Sequence, residues 1–126
     1  MSMRSPLARA RGLGSAKDGT GHFWWQRVTA IALVPLTLWI MVALVAGVGS
    51  DYESARSFVG SPFVAALLLA MIVALFHHAQ LGMQVVIEDY VHMEWVKLTA
   101  LLLVKFVAII LGLMSALAVV RIAAGG

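Results

Sequence analysis

The chain has 126 residues, of which 62% are hydrophobic and only 12% are charged. Soluble domains contain about 45–50% apolar and about 25% charged residues, and a small domain cannot bury so large an apolar fraction. We therefore exclude a water-soluble monomer. The net charge of +3 is small and concentrated in one short tail, so we expect no nucleic-acid binding. The absence of cysteine excludes disulfides, zinc–thiolate sites and a cysteine-ligated iron–sulfur cluster in this chain.

The first segment, residues 1–21, is polar, basic and rich in glycine. Because the glycines disfavour a helix, we predict a flexible basic arm, followed by a membrane domain at residues 22–126. A mitochondrial presequence is the alternative interpretation of this Arg-rich, acid-poor segment, but the glycines would break the amphipathic helix that such a leader needs. The basic residues of the arm are Arg4, Arg9, Arg11 and Lys17.

Three long apolar segments follow the arm. Residues 28–50 carry no charge, residues 57–87 contain no Asp, Glu, Lys or Arg, and residues 98–120 are interrupted only by Lys105. About 20 apolar residues in a helix cross a hydrocarbon core about 30 Å thick. The chain is therefore predicted to be an all-α membrane protein with three transmembrane helices. The predicted helices lie at about residues 26–50, 62–88 and 97–121.

The basic residues of the short loops indicate the orientation, because Lys and Arg concentrate on the inner side of a membrane. Arg27 and Lys97 join the four basic residues of the arm on one side, against Arg56 and Arg121 on the other. We therefore predict that the N terminus is inside and the C terminus outside, with Arg27 and the second link on the inner face.

Two adjacent histidines, His77 and His78, fall within the second predicted helix. His78 lies nine residues before Ile87, roughly 13 Å deep at about 1.5 Å per residue. Ionisable groups at such depth are costly and point to a functional site. The structural alternative is a histidine that forms a hydrogen bond across a helix interface.

Helical geometry distinguishes the two histidines, since residues four apart share a face. His78 has Ala74 and Gly82 as such neighbours, which would leave a smooth groove for a flat macrocycle. The corresponding neighbours of His77 are Val73 and Leu81, whose larger side chains would crowd a macrocycle. We therefore predict that His78 is the axial ligand of a haem iron and that His77 faces a helix neighbour or a backbone carbonyl.

A haem held by two histidines requires a second chain. His22 and His92 lie at the membrane interface rather than at haem depth. The second ligand must then come from another polypeptide or from a second copy of this one.

Polar residues near the inner face complete the set of candidates. Tyr90 could donate a hydrogen bond to a quinone carbonyl and Asp89 could relay protons, although aromatic residues and acids are also common at helix ends in membranes. Arg27 could pair with a haem propionate or anchor to lipid phosphate, and His22 is a similar candidate. For Lys105 we expect a side chain that extends to the inner headgroups.

These residues together resemble a known family. His78, Gly82, Met83, Asp89 and Tyr90 have the spacing H-x-x-x-G-M-x-x-x-x-x-D-Y, which is similar to the signature of the hydrophobic membrane anchor subunit of succinate dehydrogenase, the smaller of two anchor chains. Residues 22–31 also resemble the segment that opens the first helix in that family. Residues 11–17 resemble its alphaproteobacterial members in particular.

The resemblance implies a subunit of a four-chain succinate–ubiquinone oxidoreductase, respiratory complex II. We expect it in a bacterial inner membrane, with the mitochondrial inner membrane as the less favoured alternative. The expected partners are a second, cytochrome b556-type anchor chain, an iron–sulfur subunit, a flavoprotein and membrane lipid. In that family His78 would be one axial ligand of haem b, and Arg27 would lie near the propionates. Tyr90 and Asp89 would form part of the ubiquinone site. The isolated chain would have no activity.

Two alternatives remain at this point. The chain could anchor a fumarate reductase, which runs the reaction in reverse, or it could be a small structural or assembly protein whose histidines only pack.

Overall fold

The computed structural model describes residues 16–125, and this part of the chain is helical with short connections. It contains four α-helices and no strand. In chain order they are α1 (Ala16–Ala46), α2 (Tyr52–Gly60), α3 (Pro62–Tyr90) and α4 (Glu94–Ala123).

Three of the helices are long and apolar enough to cross a membrane. Their candidate spans are Thr20–Ala46, Pro62–Tyr90 and Glu94–Ala123, of 27, 29 and 30 residues. At about 1.5 Å per residue each exceeds a hydrocarbon core about 30 Å thick. The prediction of an all-α fold with three membrane-spanning helices is confirmed.

Helix α3 is the centre of the bundle. It packs against both α1 and α4, whereas α1 and α4 make no helix–helix contact with each other within residues 16–125. Most of the buried apolar side chains of the described chain lie on it, namely Ala65, Ala74, Leu81 and Ile87. Because the outer helices each use only one face against α3, most of their apolar surface remains available to lipid or to other chains.

Helix α1 begins earlier than predicted. It starts at Ala16 rather than near residue 26, so residues 16–21 of the predicted flexible arm are helical; residues 1–15 lie outside the described chain. A glycine within a helix costs only about 1 kcal/mol, and extending an existing helix needs no new nucleus. The helix continues through Pro35 and ends at Ala46, before a turn in which Gly49 has a φ of +85°, a conformation that glycine adopts without strain.

The short helix α2 was not predicted. It occupies the first link, where its N-cap residue Asp51 accepts a hydrogen bond of 2.8 Å from the Ser54 amide. The hydrogen bonds from Ser54 hold the pKa of Asp51 below its ordinary value. The Phe58 ring stacks on Trp39, at 6.3 Å between ring centroids, and α2 packs on α3 and α4. It therefore closes the end of the bundle opposite Arg27.

The other helix ends differ from the prediction by two or three residues. Helix α3 continues to Tyr90 rather than residue 88, and α4 runs from Glu94 to Ala123 rather than from 97 to 121. Pro62 is the first residue of α3, a position that requires no backbone N–H donor.

Candidate functional site

His78 lies at the interface between α3 and α1. Its Nδ1 atom is 3.0 Å from the hydroxyl oxygen of Thr29, a residue on α1 that is only 5% exposed. Nδ1 is therefore engaged within the chain, and Nε2 is the ring nitrogen left to bind a metal ion.

His77 points to different neighbours. Its ring meets the Trp25 ring edge to face, with the centroids 5.3 Å apart and the planes at 87°. It also lines a groove of about 460 Å³ between α3 and α4, together with Gln80 and Lys105. The two adjacent histidines thus contribute to different surfaces of the bundle.

Two grooves meet at His78. One, of about 400 Å³, lies beside the first half of α1, and the other, of about 450 Å³, follows its second half. The first groove is lined by His22, Phe23, Gln26, Arg27, Ala30, His78 and Val85. The second is lined by Ala30, Leu33, Val34, Thr37, Leu38 and His78. The fold thus brings together His22, Arg27 and His78, which the sequence analysis proposed for one cofactor.

The first groove contains polar atoms that lack a partner. His22 Nε2 and Gln26 Oε1 are both buried, and neither has a hydrogen-bond partner in the described chain. Buried polar atoms nearly always have a partner, so these two are suited to a bound group or a neighbouring chain. The Arg27 guanidinium lies 5.2 Å from the centre of the Phe23 ring and adds positive charge to the same groove.

The small neighbours of His78 differ in their surroundings. A Cβ atom built on Gly82 would meet no atom within 4 Å, so this side of α3 faces open space. Ala74 is 8% exposed and packed within the bundle. The free surface beside His78 therefore extends toward Gly82 and the C-terminal end of α3.

Tyr90 and Asp89 lie apart from this groove. Both are exposed at the last turn of α3, Tyr90 by 78%. Tyr90 follows His78 by twelve residues, which is about 18 Å along a helix axis. A ladder of side-chain hydrogen bonds covers most of that length, from Gln80 to Gln84 (3.3 Å) and from Gln84 to Glu88 (3.0 Å).

The sequence analysis missed Thr29, Trp25 and Gln26 as parts of the site. A hydroxyl within an apolar membrane helix was the available signal for Thr29, because such groups often form hydrogen bonds across helix interfaces. Within residues 16–125 no group of three or more His, Cys, Asp or Glu side chains could hold a metal ion.

The fold defines an all-helical membrane protein with three candidate spans, and the site places His78 at the interface between two of them, α3 and α1. The profile of the family described as "Succinate dehydrogenase/Fumarate reductase transmembrane subunit" matches residues 1–112. The chain belongs to this family, which confirms the resemblance seen in the sequence.

Relatives with specific names extend the comparison. The chain is 36% identical over 107 residues to the succinate dehydrogenase hydrophobic membrane anchor subunit of Rickettsia bellii, covering 85% of this chain and 86% of that protein. It is 34% identical over 86 residues to the subunit of the same name from Paracoccus denitrificans, with 68% and 67% covered. It is also similar to the succinate dehydrogenase membrane anchor subunit of Reclinomonas americana, with 36% identity over 97 residues and 74% and 80% covered.

Proposed function

We propose that this chain is the smaller membrane anchor subunit of a succinate–ubiquinone oxidoreductase, in which His78 Nε2 ligates haem b. The observation that carries the proposal is the arrangement around His78. Thr29 engages Nδ1, Gly82 leaves open space on the same helix, and polar atoms without partners line the adjoining groove.

The residues present fit a haem. Haem b, when bound, supplies a one-electron redox centre. His78 would ligate the iron and hold the ring in position, and Gly82 would leave room for a flat group against the helix backbone. Arg27 and His22 in the adjoining groove would neutralise and bind the propionate carboxylates, since guanidinium groups pair well with carboxylates.

A second ligand for the haem iron would come from a partner anchor chain. Of the four histidines in this chain, His22 and His92 lie near helix ends and His77 packs against Trp25. Many large apolar residues of α1 are more than half exposed in the single chain, among them Ile31, Val34, Leu38, Val42 and Val45. An apolar partner helix or lipid is suited to cover them.

Tyr90 and Asp89 form this chain's part of the ubiquinone site. The exposed Tyr90 hydroxyl donates a hydrogen bond to a quinone carbonyl, and the adjacent Asp89 carboxylate exchanges protons with the aqueous side. Their position at the end of a membrane helix is suited to a substrate that has an apolar tail and a polar head.

The proposed location is a bacterial inner membrane, with the N terminus inside. The excess of Lys and Arg on the side of Arg27 and Lys97 supports this orientation. The iron–sulfur and flavoprotein subunits then bind on that inner side, and the chain alone has no activity.

The test is an absorption spectrum of the purified complex carrying single substitutions. His78→Ala is expected to remove the haem b signal, whereas His77→Ala, the matched control on the adjacent residue, retains it. The opposite pattern rejects the assignment. A wild-type complex without a haem signal would instead favour a purely structural role.

A fumarate reductase anchor is the second candidate, because the matching family includes both kinds of enzyme. Identification of the quinone that co-purifies, and of its redox potential, separates the two. A high-potential ubiquinone supports succinate oxidation, and a low-potential quinone supports fumarate reduction.

A further inference from the structure

We propose that Thr29 is a positioning residue for the haem ligand, which holds His78 in the Nδ1–H tautomer and tunes the electron donation of its imidazole. The proposal rests on the proposed role of His78 and concerns a residue on a different helix, 49 positions earlier in the chain.

The direction of the hydrogen bond follows from the partners of the hydroxyl. The Thr29 hydroxyl lies 2.7 Å from the Trp25 carbonyl oxygen and 3.1 Å from that of Gln26. A hydroxyl has one proton, and the distance to Trp25 is typical of an O–H···O bond. Since the hydroxyl proton is donated to the Trp25 carbonyl oxygen, Thr29 Oγ1 accepts a hydrogen bond from the Nδ1–H group of His78.

The distance between Thr29 and His78 agrees with this assignment. The 3.0 Å between Oγ1 and Nδ1 is the usual length of an N–H···O bond. A neutral imidazole with its proton on Nδ1 has a lone pair on Nε2. Thr29 therefore selects the tautomer that can ligate a metal ion through Nε2, and it restricts rotation of the ring.

The bond also affects the iron. When a ligating histidine donates a hydrogen bond from the ring nitrogen that does not bind the metal, its imidazole becomes more basic. Removing the acceptor of that bond typically lowers metal affinity or activity about 10–100-fold. A more basic ligand favours ferric over ferrous iron. Loss of the Thr29 hydroxyl is therefore expected to shift the midpoint potential of haem b upward and to weaken haem binding about tenfold.

The chain offers a matched control. Thr99 on α4 donates the same type of bond to the carbonyl oxygen four residues earlier, Trp95, at 2.8 Å, and it is exposed. Thr99→Val removes an identical hydroxyl from a membrane helix without affecting a histidine. Thr29→Ser keeps a hydroxyl at the site itself.

The experiment measures haem content per assembled complex and the haem midpoint potential by redox titration, for wild type, Thr29→Val, Thr29→Ser and Thr99→Val. The proposal expects a raised potential and lower haem retention for Thr29→Val alone. If Thr29→Val does not assemble, Thr29→Ala, which cannot crowd the imidazole, is judged by the same criteria. Failure of both to assemble assigns Thr29 to packing and overturns the proposal.

The outcomes distinguish this proposal from the proposed function. If the wild-type complex has a haem b signal that His78→Ala removes, while Thr29→Val matches wild type in potential and haem content, only the role of Thr29 is overturned. A wild-type complex that contains no haem overturns both.

Discussion

Gly82→Leu separates the proposed haem-binding role of α3 from its structural role. A Cβ atom at this position would meet no atom of another residue within 4 Å, apart from the nearby backbone of its own helix, so the added side chain begins in open space. It also replaces a glycine in a helix interior, which favours the helix by about 0.8–1 kcal/mol. The subunit is therefore expected to fold and assemble normally.

A bound haem would be affected by the same change. Carbon atoms in contact lie about 3.5–4.0 Å apart, so a ring packed on the glycine backbone has no room for a branched side chain. Overpacking of this kind costs about 1–3 kcal/mol, which corresponds to a fall in affinity of roughly 5–150-fold. Gly82→Ala adds only a methyl group, and we expect a smaller effect.

Haem b content per assembled complex, read from the absorption spectrum, measures the effect. Ala79→Leu is the control, because the exposed Ala79 lies on the same helix but lines a groove between α3 and α4. Full haem retention in Gly82→Leu would show that the ring does not lie on this surface, and equal loss in both variants would point to a general packing defect.

Two further predictions concern the end of the bundle that holds Arg27 and Tyr90. Tyr90→Phe removes the exposed hydroxyl and is expected to lower quinone reduction while succinate oxidation with an artificial dye acceptor is unchanged; equal loss of both activities would contradict a quinone contact. Arg27→Gln removes a positive charge from the groove beside His78 and is expected to lower the haem midpoint potential, because a nearby cation favours the reduced iron. Arg121→Gln, at the far end of α4, is the control, and an unchanged potential in Arg27→Gln would place Arg27 away from the haem.

Local sequence signals failed where a helix is short or continues beyond its apolar part. Helix α2 has nine residues, too few for a clear periodic pattern, and it forms because Asp51 caps it and Phe58 packs on Trp39. The first turns of α1 contain glycine and polar residues, which predict a flexible arm when considered alone. In the folded chain they extend a helix that is already nucleated.

The sequence alone determined the three membrane spans, the presence of an ionisable pair within the second span, and the family motif from His78 to Tyr90. These features are visible because membrane thickness sets the length of an apolar helix and because charge inside a membrane is costly.

Only the tertiary structure decided which surface each histidine faces. Helices that are apolar on every side have no hydrophobic face that would indicate how they pack, so the sequence does not reveal that α1 places Thr29 against His78 and Trp25 against His77. Those contacts arise from packing between residues about 50 positions apart, and they leave one imidazole nitrogen of His78 available for a ligand.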